Sequence, residues 1–306
     1  MLKNNQIVIR LLLGIVLVAM NSVISANAQT PPPRPLGLNT PTGLPVFPIM
    51  EGAYENADGS FTVSFGYHNR NSDQALDIPI GPNNFLEPEQ FNGMQPTHFI
   101  NGRATGVFTV TVPASMREQS IWWNIRTGNG ELLRVPGRFG RLGYTLDRNP
   151  RPQGTLAPQA SFVAGGMQGT DPMGLVAENT LTVAVGAPLT LTLHAEDPSV
   201  RNANDPRFDK PIPVRVSWYK HQGVGAVTFS RHESTPAPDT QGPGARLEPN
   251  QVQLPEGRGV ANVVATFSAP GEYMIRGTVD NWTAPDSSEG NQCCWTNMYH
   301  RVSVTP

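Results

Sequence analysis

Cysteine is nearly missing from this chain: the only two, Cys293 and Cys294, are neighbours. No disulfide framework therefore holds the fold together, and burial of apolar surface has to do so. Lysine is almost as scarce, with Lys3, Lys210 and Lys220 alone, so arginine carries nearly all the positive charge. The formal net charge of −2 gives no electrostatic reason to bind nucleic acid or an anionic membrane. Beyond Met20 there is no apolar run long enough to cross a bilayer, so no membrane span is expected in the mature chain. H-E-x-x-H, G-x-S-x-G, P-loop and dinucleotide fingerprints are all missing. The histidines (His68, His98, His194, His221, His232 and His300) are scattered. The expectation is a protein that is not an enzyme.

What is present begins with a leader. Lys3 and Arg10 precede an apolar run, Leu11 to Met20, which ends in Ala26-Asn27-Ala28. A basic start, a short apolar middle and an Ala-x-Ala exit describe a signal peptide over 1–28, cut before Gln29, and a secreted or periplasmic product. Its loss removes two basic residues and no acid, taking the net charge from −2 to −4. Residues 29–48 are proline-rich and read as an extended arm. Glycine and proline, 30 each, punctuate the remainder into short strands and turns.

The expected fold class is all-β, with two tandem β-sandwiches. The first spans 49–147. Phe61, Val63, Phe65 and Tyr67 alternate with small or polar residues, as do Phe108, Val110 and Val112, and Ile121, Trp123 and Ile125. Gly128-Asn129-Gly130 offers a tight hairpin turn. The long connection over 81–97 is expected to pack against the sheet. A polar, proline-rich linker at 148–159 leads to the second sandwich at 160–306. There the alternation recurs at Leu189–Leu193, Val214–Trp218, Ala226–Ser230, Val260–Phe267, Tyr273–Asp280 and Met298–Val304.

Two segments of this second half carry a resemblance. Val216-Ser217-Trp218-Tyr219-Lys220 resembles the tryptophan-bearing third strand of immunoglobulin-type sandwiches. Pro270-Gly271-Glu272-Tyr273-Met274-Ile275 resembles the tyrosine-corner approach to their sixth strand, and equally the G-x-Y segment of PKD-type domains. Ile275 stands where antibody domains carry a sheet-bridging cysteine. The whole chain is also similar to uncharacterised secreted bacterial proteins ending in a CCWTN-type segment. The resemblance implies an immunoglobulin-like or PKD-like module with a binding or spacer role, and no particular ligand.

If the strands run alternately up and down, the long connections 195–213, 231–259 and 281–297 share one pole and the short ones, 221–225 and 269–272, the other. The long loops bring Asp197, Asp205, Asp209 and Asp280 as candidate calcium ligands; alternatively these aspartates cap turns and keep the loops soluble. Arg215, Arg276 and Arg301, with Tyr219, His221, Tyr299 and the nearby Trp295, form a candidate ligand-binding face suited to sugars or carboxylates. The alternative is a face closed by cross-strand contacts or covered by the first domain. Asn281-Trp282-Thr283 fits a glycan acceptor.

Cys293-Cys294 admits three readings. A disulfide ring between neighbours needs a distorted peptide, because adjacent Cα atoms sit only about 3.8 Å apart. Free thiols or a cross-link to another chain form the second. The third is a soft-metal site with Met298 and His300. The leading functional expectation is an exported, non-catalytic binding or structural protein of the cell envelope, whose partner is an envelope protein or a glycan. The alternative is a periplasmic metal-binding or redox accessory module using Cys293 and Cys294.

Overall fold

A computed structural model describes residues 42–146, 154–170, 172–235, 247–286 and 294–306; the segment read as a leader and the first part of the one read as a proline-rich arm, 29–41, lie outside them. The fold is all-β. Among the described residues the only helical elements are three-residue 3-10 turns at Glu89–Phe91, Ala114–Met116, Leu142–Tyr144 and Pro206–Phe208.

The first sandwich uses β1 (Val46–Glu55), β2 (Phe61–Asn69), β3 (Leu76–Asp77), β4 (Asn84–Glu87), β5 (His98–Phe99), β6 (Gly102–Val112), β7 (Ile121–Arg126) and β8 (Leu132–Gly137). One sheet runs β1-β2-β6 and its counterpart β4-β7-β8, with β3 and β5 as a small separate pair. Between them lies a core of Phe61, Phe65, Phe99, Phe108, Ile121, Trp123 and their neighbours. The Phe108 and Trp123 rings meet edge to face at 4.9 Å, the arrangement that their quadrupoles favour. The glycine-asparagine-glycine turn does join β7 to β8. β1 starts at Val46, inside the stretch read as arm, and Val46, Met50 and Ala53 pack on this core despite the surrounding prolines. The alternation in β2 suggests one buried face. Here Thr62 and Ser64 are buried as well, because the second sandwich lies against that sheet.

The second sandwich uses β9 (Gln159–Ser161), β10 (Leu175–Ala184), β11 (Leu189–Glu196), β12 (Val214–Gln222), β13 (Val227–Arg231), β14 (Gln251–Leu254), β15 (Arg258–Phe267), β16 (Gly271–Asp280) and β17 (Trp295–Thr305). A four-stranded sheet, β13-β15-β11-β9, faces a five-stranded one, β10-β17-β16-β12-β14. In immunoglobulin terms these are D-E-B-A and G-F-C with flanking strands, and β10 runs parallel to β17. One detail departs from that scheme. The chain leaves β12 for the D position (β13) first, then returns to flank β12 with β14. Trp218 is fully buried in the core between the sheets with Leu191, Leu193, Val216, Val263 and Ile275.

The tyrosine corner is present. The Tyr273 hydroxyl donates to the Ala269 carbonyl at 2.8 Å and accepts from the Gly225 amide at 3.0 Å. Gly223, at φ +138°, has to be glycine, since a Cβ there would sit 2.1 Å from the Tyr273 ring. Three strands of this sandwich, β9, β10 and β14, carry too little apolar alternation to be read from sequence. The end of the segment read as linker is also structural: Thr155 is buried against Asp286, and Gln159 opens β9.

Tyr273→Phe removes one donor and leaves both the Ala269 carbonyl and the Gly225 amide short of a partner. It is expected to destabilise by about 2 kcal/mol with an unchanged strand signal. Chemical denaturation followed by tryptophan fluorescence, alongside circular dichroism, measures both.

Candidate functional site

Residues Thr40–Pro306 form one compact unit, and what joins the two sandwiches is the outward face of β12, β16 and β17. Along β17 the alternate residues Trp295, Asn297 and Tyr299 point the same way, and all three are buried at 0–1% exposure. Their partner is an irregularity in β6. Pairing with β2 shifts between Phe65 and Tyr67, so that the stretch around Gly106 bulges from the ladder. The bulge turns two carbonyls outward. The Gly106 carbonyl accepts from Trp295 Nε1 at 3.3 Å and from Asn297 Nδ2 at 2.7 Å. The Val107 carbonyl accepts from the Tyr299 hydroxyl at 2.9 Å. Only glycine serves at 106. Its φ is +54°, and a Cβ would lie 2.1 Å from the Trp295 ring. Tyr54 and Leu146 complete the apolar pocket around Trp295, with Trp282 at its edge.

A second contact forms at the other end of β12. His221 Nε2 lies 2.7 Å from the Met94 carbonyl. A carbonyl only accepts, so Nε2 carries the proton of a neutral ring. The Thr97 amide donates to the His221 carbonyl at 2.8 Å, and Gln222 Nε2 donates to the carbonyls of Gly93 and Gln95. Lys220 reaches Asp77 at 2.9 Å. The long connection over 81–97 thus packs on its own sandwich, with Leu86 in the core and Phe91 and Met94 against it, and its backbone also meets β12 of the neighbouring one. Burial, with the Arg276 charge adding to it, pushes His221 down to about 3. Burial likewise raises the Tyr299 hydroxyl, and raises Tyr67 to about 12.

This geometry relocates the expected ligand-binding face. Trp295, Tyr299 and Arg276 are covered by the first sandwich and offer nothing to solvent. Tyr219 is half-buried beneath the Arg276 guanidinium, 5.2 Å from its ring centre. Arg276 pays for this position, since its buried Nε and Nη1 have no hydrogen-bond acceptor. Arg215 is held by Asp280 at 3.1 Å. Arg301 alone of the seven is exposed. Strand alternation identified which side chains share the face and could not reveal that another domain lies on it.

The loops after β11 and β16 do meet at one pole, but not around a cation. Arg201 is the centre. Its Nη1 binds Asp197 at 2.8 Å, its Nε binds Asp286 at 2.9 Å, and its Nη2 donates to Thr155 at 2.8 Å. Asp205 pairs with Arg207, Asp280 with Arg215, and Asp209 stands exposed. The four candidate calcium ligands are therefore not gathered: three neutralise arginines on separate segments. Among the described residues no cluster of three or more metal-ligating side chains occurs. The connection over 231–259 is interrupted by β14, and among its described residues the turn at Glu256-Gly257 joins the pole, through a hydrogen bond from the Asp197 amide to the Gly257 carbonyl. Beside this knot opens a polar cleft of about 1000 Å³, lined by Gln159, His194, Glu196, Glu256 and Arg258. Sequence reading missed Arg201, whose only signal was its place four residues after Asp197.

Cys294 is buried and disulfide-bonded, while Cys293 lies outside the described residues. Met298 belongs to the hydrophobic core, so it is no companion ligand for a metal at the thiols. Asn281 is buried, with its Nδ2 donating to the Leu156 carbonyl, which closes it to glycan attachment in the folded chain.

The molecule is a pair of docked β-sandwiches, the second of them immunoglobulin-like. No family model and no curated protein matches the chain. Among solved structures it is similar to the D0-D1 domain of Intimin, at 13% identity and TM-score 0.24 over 84% of this chain and 97% of that one. It is also similar to the D00-D0 domain of Intimin, at 11% identity and TM-score 0.25 over 86% and 100%. A chimeric titin Z1Z2 functionalized with a KLER exogenous peptide from decorin gives 10% identity and TM-score 0.21 over 85% and 97%. Likenesses this loose carry no functional argument, and the immunoglobulin-like description rests on strand order and the tyrosine corner.

Because folded His221 resists protonation down to about 3, the unfolded chain takes up its proton first as pH falls. Docking is therefore fully stable above roughly pH 6.5 and weakens progressively below it, by about 2–3 kcal/mol near pH 4.5. His221→Gln flattens part of this slope, which urea titrations across the pH range measure. Gly106→Ala drives a methyl into Trp295. It is expected to loosen the docking and shift Trp295 emission to the red, while Trp295→Ala on the same chain recovers part of the lost stability.

Proposed function

We propose that this chain is an exported, non-catalytic binding protein of the cell envelope, and that it presents its loop pole from a rigid, docked body. One observation carries the reading. Arg201 ties Thr155, Asp197 and Asp286, from three separate segments, into a pole that needs no ordering when a partner arrives. The adjoining polar cleft has charged groups of both signs, Glu196, Glu256 and Arg258, and suits a polar macromolecular surface, protein or glycan. The leader over 1–28 supports export, and no helix among the described residues is long and apolar enough to cross a membrane.

The metal form of the alternative module gains no support from a disulfide-bonded Cys294, whose sulfur is not a free thiolate ligand, and a core Met298. The binding reading is tested with the mature chain and native envelope fragments at fixed salt. Binding is expected to saturate, and to weaken at least tenfold in the charge-reversed double variant Glu256→Lys, Arg258→Glu. Glu131→Lys, on the first sandwich, leaves it unchanged. Protease treatment of the fragments separates a protein partner from a glycan. An isotherm indifferent to the double variant would place the site elsewhere.

A further inference from the structure

On the second sandwich a separate cavity of about 480 Å³ opens between the sheets where β10 parts from β11. Its entrance follows from a break in strand pairing. β10 pairs with β17 through Val176–Tyr299 and resumes at Thr180–Arg301, so Ala177, Glu178 and Asn179 together oppose one residue, His300. The three-residue bulge lifts the edge of the sheet away from its partner and leaves the His300 ring as the floor. Phe162 meets that ring edge-on at 4.9 Å, and Leu175, Leu181, Thr190 and Thr192 form the walls.

Two independent features single this cavity out. The first is an orphan polar atom: His300 is only 5% exposed, and its buried Nε2 has no hydrogen-bond partner. Buried polar atoms are nearly always paired, and this unpaired one belongs to a ring that lines the cavity. The second is the mouth. The Ala160 and Gly169 backbones bond reciprocally and close residues 161–168 into a flap. That flap carries Val163 and Met167 at 62% and 67% exposure, both lining the opening. Exposed apolar side chains at the rim of an apolar cavity are what a ligand with an apolar body would cover.

We propose that this cavity binds a small neutral molecule with an apolar body and one hydroxyl, the hydroxyl meeting His300 Nε2. Charge restricts the class: among the described residues no lysine or arginine lines the cavity, and Glu178 at its rim repels anions. Burial lowers His300 to about 4, so the ring is neutral at pH 7 and supplies no counter-charge. A hydroxyl donates or accepts, and so satisfies Nε2 in either tautomer. The volume lies within the range usual for small-molecule sites. This site is independent of the loop pole, and its residues Thr190 and His300 do not line the polar cleft.

The test uses the mature chain, 4-tert-butylphenol and its hydrocarbon counterpart tert-butylbenzene, read from methyl NMR shifts of Val163, Met167 and Leu181. Saturable shifts are expected, with the phenol about tenfold tighter, the worth of one hydrogen bond to an otherwise unsatisfied buried group. His300→Phe abolishes the tenfold preference. Thr190→Trp, a substitution at an exposed wall position, blocks both probes without disturbing the fold. Shifts that never saturate, equal affinity for the two probes in the unaltered chain, or unchanged binding in Thr190→Trp would each overturn the proposal.

Discussion

Two backbone carbonyls, of Gly106 and Val107, hold the architecture together. They come free only because β6 bulges out of its ladder, and they are satisfied only by Trp295, Asn297 and Tyr299 of the other sandwich. Each hydrogen bond is worth on the order of 1 kcal/mol, but leaving the groups buried and unpaired would cost more. The interface is therefore strongly specified: a slip of one residue along β17 would turn these three side chains to the opposite side of the sheet. The apolar surround of Trp295, built from Tyr54 and Leu146, keeps water from competing for the same carbonyls.

The same interface holds groups that a solvated surface would tolerate more easily. His221 stays neutral in it, and Arg276 is buried with two nitrogens unpaired, partly compensated by the Tyr219 ring. A face with such residues would ordinarily be read as a binding surface. Here the bound partner is the chain's own first sandwich, and the loop pole and the sheet edge at β10 lie outside that interface. Arg201 fixes the pole by pairing with two buried aspartates, and both of its ion pairs are shielded enough from water to matter. A rigid body with a preformed polar pole is the physical content of the proposed binding role.

Much of the fold was legible from alternation alone. Strands β2, β6, β7, β11, β12, β15 and β16 carry apolar residues at every second position because one face of each enters a core. Strands β9, β10 and β14 were not legible, being short or at sheet edges, where the inward residues are few and mixed with threonine, glutamine and asparagine. The loops after β11 and β16 were placed at one pole, but of the four aspartates offered there as cation ligands or turn caps, three pair with arginines. Local sequence shows that a carboxylate sits on a loop, and does not show which charge lies opposite.

By itself the sequence determined the all-β class, the position of Trp218 in the core and the tyrosine corner at Tyr273. Each of these depends on residues close in the chain, whose spacing fixes which way a side chain points. The tertiary structure alone decided that the arginine–tyrosine face is internal, that Arg201 organises the pole and that His300 floors a cavity. Those facts depend on partners 85 to 192 residues apart, such as Arg201 with Asp286 and Val107 with Tyr299. Strand periodicity specifies the direction of a side chain but leaves open what comes to meet it.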